Sequence, residues 1–90
     1  MRIEFHKNFK RDVKKWRNAG WNMDPLEQFI DALMHNEWPL PKQYEAHPLH
    51  GDMEGTWDVH IRQNWLVFFR KEKDTILLLR TGTHASLGIG

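Results

Sequence analysis

Ninety residues, 40% of them hydrophobic and five of them tryptophan, suffice for one compact core but not two, so residues 1–90 are expected to form a single domain. The absence of cysteine excludes disulfides and thiolate metal sites. The longest apolar run (Trp65 to Phe69) is too short for a membrane span, and the N-terminus lacks a secretory stretch, so a soluble cytoplasmic protein without membrane contact is expected.

The formal net charge of +1 conceals a segregation of sign. Residues 1–20 hold seven basic side chains and two acidic ones, residues 21–60 hold eight acids against Lys42, and residues 61–90 hold five basic groups and two acids. Local potential, not total charge, attracts a polyanion, so the two basic segments are candidates for binding nucleic acid. A solvated helix face is the alternative.

In residues 2–6, Ile3 and Phe5 alternate with polar neighbours, which predicts a short strand. From Lys7 to Ala19, Phe9, Val13 and Trp16 make one helical stripe, Lys7, Lys10, Arg11, Lys14, Lys15 and Arg17 cover the rest, and Gly20 ends the helix. A second helix opens at Asp24-Pro25-Leu26-Glu27, with Asp24 as the expected cap. It buries Leu26, Phe29, Ile30, Leu33 and Met34 and is expected to stop at Asn36. Trp38-Pro39-Leu40-Pro41 is an extended connector, since each proline removes a donor. Gly55 to Ile61 alternates as a strand, with Trp57, Val59 and Ile61 on one face and Asp58 and His60 on the other. The continuous runs Trp65–Phe69 and Ile76–Leu79 fit strands covered on both faces, joined by a hairpin over Arg70 to Asp74. The expected class is α+β, in the order β-α-α-β-β-β, with two helices packed on one face of a mainly antiparallel sheet.

Four of the six histidines, His47, His50, His60 and His84, follow the helices. Two imidazoles across a cleft can cut RNA without a metal, one taking the ribose 2′-hydroxyl proton and the other protonating the leaving 5′-oxygen. Arg80, four residues before His84, is the candidate cation for the developing phosphate charge. Two other readings stay open: structural or surface histidines, and a metal held by His47 and His50 with Asp52 and Asp58. His35 suits a helix C-terminus and His6 the end of the first strand. Trp16 and Trp57 fall on core stripes. Trp65 suits either the core or a stack on a base, and Trp21 and Trp38 either packing or contact with a partner.

The stretch Leu40-Pro41-Lys42-Gln43-Tyr44-Glu45-Ala46-His47-Pro48-Leu49-His50-Gly51, then Gly55, Asp58-Val59-His60-Ile61 and Trp65-Leu66-Val67, resembles the signature of YafQ-type toxins of the RelE/ParE superfamily. The ending Arg80-Thr81-Gly82-Thr83-His84-Ala85 is similar to their C-terminal motif. The resemblance implies a RelE-like fold and a bacterial type II toxin: an endoribonuclease that cuts mRNA on the ribosome with no metal or other cofactor. A partner antitoxin would neutralise it. It also implies site roles for His47, His60, Trp65 and His84. Asn64 stands where the family carries an acid, and Gly88 and Ile89 where it tends to carry an aromatic residue. A non-catalytic relative, such as a ParE-like gyrase inhibitor or an inactivated toxin, is the alternative reading.

Overall fold

Helical spacing of Phe9, Val13 and Trp16, uninterrupted by glycine or proline, gives the first helix, α1 (Lys7–Asn18). The computed structural model, which describes residues 2–35 and 38–88, adds what holds its two ends. His6 keeps an extended backbone and its Nδ1 accepts the Asn8 N–H at 3.0 Å, so a histidine does the work usually given to Ser, Thr, Asp or Asn. At the other end Gly20 turns left-handed (φ 92°), and the Trp21 N–H reaches back to the Trp16 carbonyl at 3.1 Å, satisfying an orphan acceptor.

The second helix, α2 (Asp24–Met34), starts one residue earlier than expected. Met23, the flanking residue, already has near-helical angles, so Asp24 lies inside the helix and does not cap it. Asn22 Oδ1 instead accepts the Asp24 N–H at 3.0 Å. Asp24 and Glu27 still place carboxylates in the first turn, where the helix dipole favours them. Leu26, Phe29 and Leu33 are buried, but Met34 is 59% exposed: it closes the helix, and the inward row ends at Leu33. His35 follows, its Nδ1 2.7 Å from the Asp31 carbonyl. The expected stop at Asn36 lies outside the described residues, as does Ile89.

Five strands form one sheet: β1 (Arg2–Phe5), β2 (His47–Pro48), β3 (Thr56–Arg62), β4 (Trp65–Lys71) and β5 (Thr75–Gly82), in the spatial order β1-β5-β4-β3-β2. Only the β1–β5 pair is parallel. The class and element order match the expectation except for β2, which is two residues long and therefore has no alternation to read. Trp57, Val59 and Ile61 of β3, Trp65, Val67 and Phe69 of β4, and Ile76 and Leu78 of β5 meet the helices in one core. Phe29 is fully buried there between Tyr44 (ring centroids 5.2 Å) and Phe69 (6.2 Å), and a side chain so placed contributes about 1.5–3 kcal/mol. Leu66 and Phe68 fall on the alternate positions and are buried as well, as their place in a continuous apolar run implies.

β1 stops at Phe5 while β5 runs on to Gly82, leaving the end of β5 without a strand on that side. Helix α1 covers it. Asp12 Oδ2 accepts the Thr81 N–H at 3.0 Å, and Trp16 Nε1 donates to the Thr81 carbonyl at 3.1 Å, so both backbone groups are satisfied by side chains. Gly82 leaves room here: a Cβ would force Ser86 Oγ to shift and would come within 3.1 Å of Trp16 Nε1. Among the described residues, no helix is long and apolar enough to cross a membrane.

Candidate functional site

Strand alternation puts Asp58 and His60 on the face of β3 turned away from the core-facing Trp57, Val59 and Ile61. Strand β2 pairs antiparallel with β3 in a register that sets His47 opposite Asp58. The pairing with β4 then slips after His60, because His60 opposes Leu66 while Arg62 opposes Trp65, with Ile61 the extra residue. Irregularities of this kind re-aim side chains beside functional sites. The two-residue turn Gln63-Asn64 follows, and Asn64 reaches across to the segment after β5. Its Oδ1 accepts the backbone N–H of His84 at 3.1 Å and lies 2.7 Å from His84 Nδ1. Thr83 and Ser86 lock the same segment reciprocally: the Thr83 N–H donates to Ser86 Oγ (2.9 Å) and the Ser86 N–H to Thr83 Oγ1 (3.0 Å).

The outcome is a row of three imidazoles. His47 and His60 have ring centroids 6.1 Å apart, and His60 and His84 5.6 Å apart. His47 is engaged at both nitrogens, with Nδ1 2.8 Å from the Glu45 carbonyl and Nε2 2.9 Å from Asp58 Oδ1, an approach too oblique for a hydrogen bond. His84 is engaged at Nδ1 by Asn64, which fixes its proton there, because Asn64 Oδ1 already accepts a backbone N–H and can only be an acceptor. His50 lies outside this row, exposed before the short turn Gly51–Met53. Among the described residues no three His, Asp or Glu side chains are arranged to hold a metal ion. The side chain of Asp52 is outside the described residues.

Asp58 is only 3% exposed, and sequence reasoning had placed it only as a possible metal ligand. Burial pushes its carboxyl above the usual carboxylate range, and His47, His60 and His84 pull it partly back. A raised folded-state value means that stability is fully present below the unfolded value (about 3.9) and is lost as pH rises through the folded one. The Asp58→Asn variant, which cannot ionise, is therefore expected to gain stability relative to the parent as pH climbs through that window. Parallel thermal melts from pH 3 to 7 measure it, and a constant difference would show that Asp58 ionises as freely as in the unfolded chain. Asp58 was findable, since it sits two positions from His60 on one strand face. Glu45 was not: its carboxylate comes within 3.5 Å of His60 Nδ1 only because its backbone turns left-handed (φ 48°).

For two residues the structure adds what the sequence leaves open. Trp65 is 6% exposed, its Nε1 donates to Thr81 Oγ1 at 2.8 Å, and its ring meets the edge of Trp21 at 5.0 Å. As the first residue of β4 it falls on the core-facing positions with Val67 and Phe69, so its face is not available to stack on a base. Arg80 is not a free cation. Its Nε donates to Asp12 Oδ2 at 2.6 Å and its Nη2 to Oδ1 at 3.2 Å, and these bonds hold it protonated against the opposing effect of burial. Trp21 and Trp38 both pack, the first stacked on Trp16 at 4.1 Å and the second against Trp57 at 5.1 Å. With Asp12 buried, the exposed surface of α1 carries Lys7, Lys10, Arg11, Lys14, Lys15 and Arg17 and no acid.

The family described as the bacterial toxin of type II toxin–antitoxin systems, YafQ, matches residues 1–88. The mRNA interferase toxin YafQ of Escherichia coli K12 is 33% identical over 85 residues, covering 94% of this chain and 92% of that protein. The crystal structure of YafQ from E. coli BL21(DE3) superposes with a TM-score of 0.91 at 32% identity, over 97% of this chain and 98% of the other. YafQ in the E. coli DinJ–YafQ complex gives a TM-score of 0.89 at 33% identity, with the same coverage of both chains.

Proposed function

This chain belongs to the YafQ family of bacterial type II toxins, and from that premise we propose that it is an mRNA interferase whose histidines cleave mRNA held on the ribosome. The observation that carries the catalytic reading is the His60–His84 pair, 5.6 Å apart and each backed by an oxygen at Nδ1. Two ring Nε2 atoms are then left to work on either side of one phosphodiester. One imidazole removes the proton from the ribose 2′-hydroxyl, whose oxygen bonds to phosphorus. The P–O5′ bond breaks, the other imidazole delivers a proton to the departing 5′-oxygen, and a 2′,3′-cyclic phosphate and a 5′-hydroxyl result. Histidine suits both transfers because its unperturbed pKa lies near working pH. His47 lines the same row, Asn64 orients His84, and Trp65 supports the site from beneath. Arg80, paired with Asp12, lends a fixed but weakened positive potential to the phosphate.

The cationic face of α1 supplies a sequence-independent hold on ribosomal RNA or mRNA. A cognate antitoxin, as DinJ is found with YafQ, neutralises the toxin in the bacterial cytoplasm. The reading needs no metal or cofactor of the protein's own.

The test is cleavage of a translated mRNA on purified ribosomes, with the cut sites mapped by primer extension over a range of salt. New 5′ ends within the reading frame are expected with ribosomes and not with naked mRNA. Changing Lys10, Lys14 and Arg17 together to Gln is expected to flatten the salt dependence, since fewer counterions are released. No new ends would leave a non-catalytic toxin, and an unchanged salt slope would remove the helix from RNA contact.

A further inference from the structure

His60 Nδ1 is shut off from solvent and has no hydrogen bond, although imidazole nitrogens excluded from water are normally paired. The group that faces it is the Glu45 carboxylate, with Oε2 at 3.5 Å. Glu45 is the one non-glycine residue with positive φ among the described residues. The conformation follows the short turn Lys42–Tyr44, whose last bond runs from the Glu45 N–H to the Lys42 carbonyl at 3.0 Å. The same conformation aims the Glu45 carbonyl at His47 Nδ1, 2.8 Å away. One strained residue thus addresses two of the three histidines, and such outliers persist where the surroundings over-determine them.

We propose that Glu45 is a positioning residue of the cleavage site: its carboxylate holds His60 in the tautomer with the proton on Nδ1, leaving the Nε2 lone pair to take the 2′-hydroxyl proton. This rests on the ribonuclease reading above, and it divides the labour that reading left symmetric. A neutral His60 with Nδ1–H directed at Glu45 is the base. When it accepts the second proton, the new positive charge forms beside a carboxylate, so the interaction strengthens in the transition state, where it accelerates the step. His84 is the acid. Its Nδ1–H is spent on the Asn64 amide, and its Nε2 carries the proton to the 5′-oxygen. The remaining charged neighbour, Asp58, lies against His47 Nε2. The 3.5 Å separation exceeds a hydrogen bond, but the Glu45 side chain is 69% exposed and free to close it by a rotamer change.

The experiment compares the wild-type toxin with Glu45→Ala and Glu45→Asp. Long-range 1H–15N correlation of the imidazoles reads the His60 tautomer, and single-turnover cleavage of ribosome-bound mRNA reads the chemical step. Wild type is expected to show His60 protonated on Nδ1, and Glu45→Ala to move the proton to Nε2. The alanine variant should lose about tenfold in kcat with KM unchanged, about what one charge-assisted hydrogen bond supplies. Glu45→Asp, which keeps the charge on a shorter arm, should recover part of the rate and of the tautomer. An unchanged tautomer, or a tautomer that moves with the rate intact, overturns the proposal. If the wild-type toxin leaves mRNA uncut, the ribonuclease reading fails, and the spectra still decide whether Glu45 sets the His60 tautomer.

Discussion

Alanine at His60 or at His84 is expected to lower single-turnover cleavage by about 10²- to 10⁴-fold, the range for losing a positioned general acid or base. Each residue lies in the imidazole row and neither belongs to the hydrophobic core, so the fold should survive either change. His84 lies in an exposed turn held by Thr83, Ser86 and the backbone bond to Asn64, all of which an alanine retains. The two changes combined should cost much less than the product of the single effects, because a base without its acid partner already runs slowly. His47→Ala should cost less than either, since both of its nitrogens face protein groups. Rates on ribosome-bound mRNA, with circular dichroism to confirm folding, decide the matter. A His84→Ala protein that cuts within tenfold of the parent would take His84 out of the chemistry.

Removing Asp12 should produce the largest loss of stability of any single polar substitution described above. Its carboxylate accepts from Arg80 Nε, Arg80 Nη2 and the Thr81 N–H, and its side chain is 10% exposed. Asp12→Ala leaves a buried backbone donor and a half-buried guanidinium without a partner. Breaking a fully buried pair costs about 3–5 kcal/mol. Arg80, at 41% exposure, is rescued in part by water, which brings the expectation to about 2–4 kcal/mol. For a domain of this length that lowers Tm by roughly 10–25 °C. Thermal unfolding of Asp12→Ala, Arg80→Ala and the double variant gives the pair energy directly. A loss under about 1 kcal/mol in Asp12→Ala would mean that water replaces the carboxylate at the β5 edge without penalty.

The same two residues show what a sequence can and cannot disclose. Periodicity set out both helices and β3, β4 and β5, because each buries a long stripe whose spacing is written in the chain. It was silent on β2, too short to have a period, and on α1 as the cover of a strand end, which depends on where β1 stops. His47, His60 and His84 were legible as a group from motif resemblance, and the structure brings them into one row. Arg80 is legible as a cation but not as the partner of Asp12, and Trp65 leaves the core and a stack on a base both open. Proximity along the chain to His84 says nothing of a partner distant in sequence, and Asp12 pairs with Arg80, while for Trp65 the place beside Trp21 decides between the two readings. Asp24 was a fair cap by residue type, and Met23 displaced it by entering the helix early.

Strand β5 is inserted between β1 and β4, although it is the last of the five to be synthesised. Until it emerges from the ribosome, β1 has no neighbour, Asp12 has neither Arg80 nor Thr81, and His84 is not yet beside His60. Chains emerge N-terminus first, and contacts this distant in sequence form late. A nascent chain therefore lacks the assembled site for most of its synthesis.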